Sequence, residues 1–520
     1  MAHAIIFVDW APQVNQLDFR SPQYGYTAGA YKIASVLREQ GLDVLVVPNC
    51  LCLSYFGITE LIKQNSNNLL WVGLSTTFMI TQAAEQDLEQ YRNEWTHSRS
   101  HTIDLEPLLG SDSDAYQNYQ LIWDVKHLSR LAFFLDKNFS VPLIVGGANS
   151  VKIADHHLRH PNLHLVNGYA ESFIKELAKQ QSANKKSVPY IVDNKEYDDH
   201  GFKNSSIIWQ PHDLIDADDW LPLEVSRGCA FDCAYCNYPR KSTFDSFKNP
   251  ETLRQELIRN YETFGVTKYI LIDDLYNDSK NKVRELYDRT WSRLPFKPEW
   301  VSYMRLDMFW SDPDSAEIIK ASGARCGSFG IETLHDQAGR KVGKGLGKSR
   351  ILETLEMLNQ TWGDDVLVAA FFIAGLPMEP EQSIQDTLDW CADTDLVHGY
   401  AWNPMYLTRP TALTVHTKNR IDSDFDKFGV RWLSDTNWIN SVGMTLERAQ
   451  QLINQSQPRY LKKKYFTFVD YANFRSAGFD HATIAGLRHG SIQQPELQQG
   501  ADILLGKVQQ RLQKILAIKL

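Results

Sequence analysis

SRGCAFDCAYCNYPRK, residues 226–241, carries Cys229, Cys233 and Cys236 in a C-x3-C-x2-C spacing. Three thiolates on one short loop can hold three irons of a four-iron, four-sulfur cubane, whereas an electron-transfer cluster takes four cysteines. The remaining iron then keeps an open position for a substrate or cofactor, as any catalytic metal site does. A structural zinc site would need four ligands, usually from two C-x2-C pairs. Here there is one such pair, and no His or further Cys follows at zinc-finger distance. Three of the seven cysteines fall within eight residues, which argues against coincidence.

Working outward, the strand LPLEVSRG (221–228) leads into this loop, so the cysteines stand at a strand's carboxyl end. In an α/β barrel the loops after the strands build the active site. The strand–helix unit then repeats through TKYILIDDLYN, EWVSYMRLDMFW, ARCGSFGIETL, DVLVAAFFIAGLP and LVHGYAWNPMYL, giving six strands in all. Upstream, residues 1–180 alternate apolar runs (AIIFVDW, DVLVVP, LLWVGLS, VPLIVGG, LHLVNG) with helical stretches, one from Ala115 to Leu135. That alternation predicts a doubly wound parallel sheet, with ligands at the carboxyl ends of its strands. The relevant tips are Asp9–Asn15, Ser75–Thr77, Gly146–Asn149 and Gly168–Glu171. Residues 181–220 read as a polar linker with one short strand, Ile207–Trp209 adding to a sheet edge. Residues 421–520 are mostly helical, and their basic residues suit packing helices better than nucleic-acid binding.

The cysteine run, with aromatic Tyr235 before the last thiol, resembles the signature of the radical S-adenosylmethionine (SAM) enzymes. The resemblance implies a 4Fe-4S cluster whose open iron takes the amino and carboxylate groups of SAM. It extends over about 200 residues, 221–420, as a partial (β/α)6 barrel. At the strand ends it marks Asp273 and Asp274 near the SAM amino group, Glu332 in a G-I-E-S-like element, and Gly375 and Pro377 in a G-L-P-G-E-T-like element. In the last, Met378 replaces glycine and Pro380 replaces threonine. Arg305 would neutralise the SAM carboxylate or a substrate anion. Each has a plainer reading as well. The aspartates can cap a helix, Glu332 and Arg305 can form structural ion pairs, and Gly375 and Pro377 can shape a turn.

Residues 1–180 are similar to the cobalamin-binding domain that precedes the barrel in one branch of that superfamily, through VGLSTT, PLIVGGANS and NGYAESFIKEL. Ser75, Gly146, Gly147, Asn149 and Gly168 would then face the corrin. The D-x-H-x-x-G motif that supplies a cobalt ligand in many relatives is absent. A domain that keeps the fold without the corrin therefore stays open.

The resemblance implies reductive cleavage of SAM to a 5′-deoxyadenosyl radical, for cobalamin-dependent methylation of an unactivated carbon. Without the corrin, the outcome would be rearrangement, cyclisation or oxidation. A non-catalytic iron–sulfur sensor or carrier is the rival from another class, and needs neither an open iron nor these strand ends. The substrate, a small molecule or a peptide, is not specified, and the electron donor would be a flavodoxin or ferredoxin.

A net charge of −9 opposes a general phosphate-binding surface. No run approaches eighteen apolar residues, and MAHAIIFVDWAP does not read as a signal peptide. With an odd cysteine count and an oxygen-sensitive motif, the expected compartment is the cytoplasm. GRKVGKGLGKS (339–349) only approximates a phosphate-binding loop and reads as a barrel loop. His156 and His157 read as surface residues, and Cys50, Cys52, Cys326 and Cys391 as buried small residues. Trp402, Tyr406, Trp432 and Trp438 are candidates to line or cover the barrel mouth.

Overall fold

A computed structural model describes residues 2–9, 24–50, 53, 55–76, 125–147, 150, 160, 162–182, 191–193, 201–236, 247–273, 275–407, 420–433, 437–460, 467–489 and 494–520. Asp274, Asn149, His156, His157 and Cys52 lie outside them. The chain divides into two units, Met1–Asp219 with Gln498–Leu520, and Trp220–Leu497.

The first unit holds six parallel strands, β1 His3–Val8, β2 Asp43–Val47, β3 Leu69–Ser75, β4 Leu143–Gly146, β5 Leu163–Asn167 and β6 Ile191–Asp193. Their order is β2-β1-β3-β4-β5-β6. HAIIFV is buried at every position, as a parallel strand covered on both faces must be. Helices Ala28–Arg38, Tyr55–Gln64, Val125–Phe139 and Glu171–Ser182 connect the strands. The order reverses between β1 and β3, and a doubly wound sheet opens its ligand crevice at such a reversal. Asp9 and Thr76 stand just beyond those two strand ends, both buried.

The stretch that reads as a linker is tied down. β6 extends the sheet, but Ile207–Trp209 forms no strand. Its apolar side chains instead pack inward, with the Trp209 ring 4.4 Å from Tyr31 and 5.4 Å from Tyr26. Arg38 grips Asp213 through two 2.8 Å hydrogen bonds and donates to the Ile208 carbonyl. From the other end of the chain, Arg511 lays its guanidinium over Tyr24 and Tyr26, at 3.9 and 4.2 Å.

The second unit holds β7 Trp220–Leu223, β8 Lys268–Leu271, β9 Glu299–Met304, β10 Ala324–Glu332, β11 Leu367–Ala374 and β12 Gly399–Pro404. They are parallel and ordered β12-β11-β10-β9-β8-β7, each beside its successor. That is the pattern of repeated right-handed strand–helix–strand units, and all six expected strands are present. β7 is shorter than LPLEVSRG suggests, because the backbone N–H groups of Val225 and Ser226 turn to the Asp273 carboxylate. The helix Pro250–Phe264 opens on an Asn249 cap with proline at its first position and closes on Gly265. Helices Leu446–Tyr460, Phe468–Ser476 and His481–Ala485 follow the last strand.

Cys50, Cys326 and Cys391 are buried. Trp402 is also buried and stacks on Phe372, while Trp438 lies over Gly375 and Tyr406 is exposed. No helix among the described residues is long and apolar enough to cross a membrane.

Candidate active site

The cysteine loop leaves β7 at the carboxyl edge of the second sheet and is held from several sides. Asp273, just past β8, accepts from Val225 N (2.7 Å) and Ser226 N (2.9 Å) through Oδ1, and from Ser226 Oγ (3.1 Å) through Oδ2. Burial pushes this carboxyl up to about 7 against the pull of Lys282 and those donors. Lys282 in turn donates to Ser226 Oγ and the Leu275 carbonyl and pairs with Asp278 at 2.6 Å. Arg227 pairs with Glu224 at 2.6 Å.

Further along, Ala234 N donates to the Val342 carbonyl and Ile421 N to the Ala234 carbonyl, both at 2.9 Å. Arg420 donates through Nη1 to the Cys236 carbonyl at 2.7 Å while its other nitrogens grip Asp422. Arg305, at the end of β9, does the equivalent for Cys233. Its Nε and Nη2 meet the Asp307 oxygens at 2.8 and 2.5 Å, and Nη1 lies 3.2 Å from Cys233 Sγ. The guanidinium also lies 3.7 Å from the Phe231 ring centroid.

Glu332 reaches the same loop. A register shift between Gly330 and Glu332 on the β11 side re-aims the end of β10. Glu332 takes a φ of +69°, and its Oε1 accepts from the Tyr235 hydroxyl at 2.7 Å. Burial and the Glu332 charge drive the Tyr235 hydroxyl well above its usual range, so it stays a donor. Lys344 reaches Glu332 at 3.4 Å and the Gly330 carbonyl at 2.6 Å, which makes GRKVGKGLGKS a barrel loop folded back on its strand. Gly330 leaves room for that carboxylate, because a Cβ on it would come 2.4 Å from Glu332 Oε1.

The next loop, Gly375–Glu379, lies against this one. Thr333 Oγ1 donates to Glu379 Oε1 at 2.5 Å, and full burial pushes the Glu379 carboxyl up to about 8. Gly375 has a φ of +90°, and a Cβ there would meet the Trp438 ring at 2.4 Å. Met378, standing where the resembled family has glycine, keeps a glycine-like φ of +67°.

The structure thus brings Tyr235 to Glu332 and Arg305 to Cys233, turns Asp273 to the loop backbone, and sets Gly375 and Pro377 on the adjoining loop. In the first unit, Ser75 ends β3, Gly146 ends β4, and Gly147 and Gly168 turn the chain at φ +98° and +85°. The sequence reading did not single out Arg420, Asp422, Asp307, Phe231, Lys344 or Glu379. One signal was present: RLD (305–307) and RID (420–422) are the same Arg-x-Asp tripeptide, and both hold the cysteine loop.

Residues 223–391 match the Radical SAM superfamily. The chain therefore carries a radical SAM domain. Its radical SAM domain and the sheet before it have counterparts among known proteins. An anaerobic magnesium-protoporphyrin IX monomethyl ester cyclase of Cereibacter sphaeroides is 23% identical over 272 residues, 50% of this chain and 41% of that protein. An uncharacterized methyltransferase of Pyrococcus horikoshii is 22% identical over 194 residues, 36% of this chain and 41% of that protein. The chain thus matches less than half the length of either. Among solved structures, the radical SAM methyltransferase TsrM of Kitasatospora setae aligns at a TM-score of 0.50 and 14% identity, covering 77% of this chain and 73% of that one. The cobalamin-dependent enzyme OxsB aligns at 0.49 and 15%, covering 76% and 53%. At such identity TsrM shows a shared fold.

The donors present in the radical SAM domain suit an iron–sulfur cluster. Cys229, Cys233 and Cys236 share one braced loop, and a guanidinium N–H points at a thiol sulfur. Among the described residues no group of three or more His, Cys, Asp or Glu side chains is placed to hold a metal ion.

Proposed function

We propose that Cys229, Cys233 and Cys236 bind a 4Fe-4S cluster whose open iron takes SAM, and that the enzyme methylates an unactivated carbon with the help of cobalamin. When bound, the cluster supplies the electron that splits SAM into methionine and a 5′-deoxyadenosyl radical. The observation that carries the reading is the three-cysteine loop at a strand's carboxyl end, within residues that match the superfamily. Asp273 holds the backbone ahead of the cysteines, and Arg420 and the Val342 carbonyl hold it at Ala234–Cys236. The Tyr235–Glu332 pair and the Gly375–Glu379 loop would form the SAM side of the site, with Glu332 as acceptor for the SAM amino group. Polar groups on rigid strand ends orient a cofactor, and burial excludes water from it.

Cobalamin would sit in the first unit, over the ends of β1, β3 and β4, at Ser75, Gly146 and Gly147, with Gly168 nearby. The β1/β3 reversal supports this, as does the shared fold with TsrM, a structure of which is described with cobalamin and a [4Fe-4S] cluster. A second reading, ring closure without methyl transfer, draws on the cyclase relative. A flavodoxin or ferredoxin in a reducing cytoplasm would supply electrons.

Anaerobic reconstitution with iron, sulfide and hydroxocobalamin, followed by dithionite and SAM, tests the proposal. Mass spectrometry should find 5′-deoxyadenosine in the wild type and none in Cys233→Ala. S-adenosylhomocysteine with retained corrin supports methyl transfer, and deoxyadenosine without corrin supports the second reading. An intact cluster that leaves SAM whole would sink both.

A further inference from the structure

We infer that Arg305 is a positioning residue that sets the reduction potential of the cluster, through a charged hydrogen bond to the Cys233 sulfur. The inference rests on the proposed cluster site but concerns a different property from SAM binding.

The geometry leaves Arg305 little choice. Its backbone N accepts no freedom from the loop: it donates to Asn277 Oδ1 at 2.9 Å, while Asn277 Nδ2 donates to the Arg305 carbonyl at 3.0 Å. Asp307 then takes Nε and Nη2 together, a bidentate grip that fixes the plane of the guanidinium. The Phe231 ring covers one face of that plane. Nη1 is thereby aimed at Cys233 Sγ, 3.2 Å away, in a residue only 6% exposed. Arginine stays charged in proteins, so this N–H is a permanent cationic donor beside the sulfur.

Hydrogen bonds to cluster sulfurs and nearby charge are among the levers that set iron–sulfur potentials. Reduction adds one electron from an external one-electron donor and takes the cluster from [4Fe-4S]2+ to [4Fe-4S]1+. No bond is made or broken, and the guanidinium keeps its protons. The added negative charge is stabilised by the fixed cation, so Arg305 favours the reduced state. The ion pair with Asp307 is needed for aim, yet it partly offsets the charge. The hydrogen bond itself is therefore expected to carry much of the effect. This use of Arg305 differs from a role in holding the SAM carboxylate, since the fork that would grip a carboxylate is already occupied by Asp307.

The test is an EPR-monitored redox titration of the reconstituted protein without SAM, comparing wild type, Arg305→Gln and Arg305→Lys at equal iron and sulfide content. Arg305→Gln should disfavour reduction about tenfold, a midpoint about 59 mV lower for one electron. Arg305→Lys, which keeps charge but loses the fork, should fall between. An unchanged midpoint in a fully loaded Arg305→Gln protein would overturn the inference. If the variants load poorly, wild-type protein grown with 15N-arginine decides. A 15N coupling to the reduced cluster that Arg305→Lys lacks, at whatever loading it reaches, is expected, and no arginine coupling at all in the wild type would overturn the inference. A wild type that builds no cluster refutes the proposed function instead, so the two failures are told apart.

Discussion

Gly330 shows how a single missing methyl group shapes this site. Glu332 folds back over it to reach Tyr235, and an added Cβ would stand 2.4 Å from the carboxylate. In Gly330→Ala the Glu332 carboxylate should leave, stranding a buried tyrosine hydroxyl without its acceptor. An unmet buried polar group costs about 1–3 kcal/mol, so urea or thermal unfolding should show a loss of that size. A variant as stable as the wild type would contradict the packing described. Glu332, which ends β10, and Met378, on the loop after β11, both sit at positive φ. Strained backbone of this kind gathers where a site over-determines it. From sequence, Glu332 was legible through the G-I-E element it resembles. Arg420 was not, because it lies 184 residues from the Cys236 carbonyl it holds and no local pattern links the two.

At the scale of elements, the six strands of the second unit were legible because each is a short apolar run between helical repeats. The end of β7 was not. Its register is lost to Asp273, 48 residues further on, which takes two backbone N–H groups that would otherwise extend the strand. The stretch 201–213 was equally opaque, since Arg38 and Asp213, which tie it down, stand 175 residues apart. The Asp273 brace makes a paired prediction. Asp273→Ala leaves two buried N–H groups unmet and should cost about 3 kcal/mol, with less iron retained per chain after reconstitution. Asp273→Asn keeps a carbonyl oxygen for both N–H groups and should stay close to wild type in both readouts. Equal behaviour of the two variants would count against the brace.

Across the whole molecule, the buried carboxyls imprint a pH dependence. Glu379 is held near 8 and Asp273 near 7, both far above their usual range because of burial. Each folded group keeps a proton that the unfolded chain releases, so each lowers stability as pH rises toward its folded value. The slope per group reaches about 1.4 kcal/mol per pH unit. His398 works oppositely, since burial drops it to about 4 and its contribution is lost as pH falls below the unfolded value. Between pH 6.5 and 8, then, urea midpoints should decline with rising pH, and Glu379→Gln should flatten the decline. A midpoint that rises through this window would show that the two carboxyls are not held protonated.

The central claim is an iron left open by three cysteines. EPR of the dithionite-reduced, reconstituted protein before and after adding SAM tests it most directly, because it needs no substrate. The account predicts a low-temperature signal of a reduced four-iron cluster whose g values move when SAM binds. That signal should be absent from Cys233→Ala. A reduced cluster with a spectrum indifferent to saturating SAM would mean that the cysteine loop offers SAM no iron, and the account would fail.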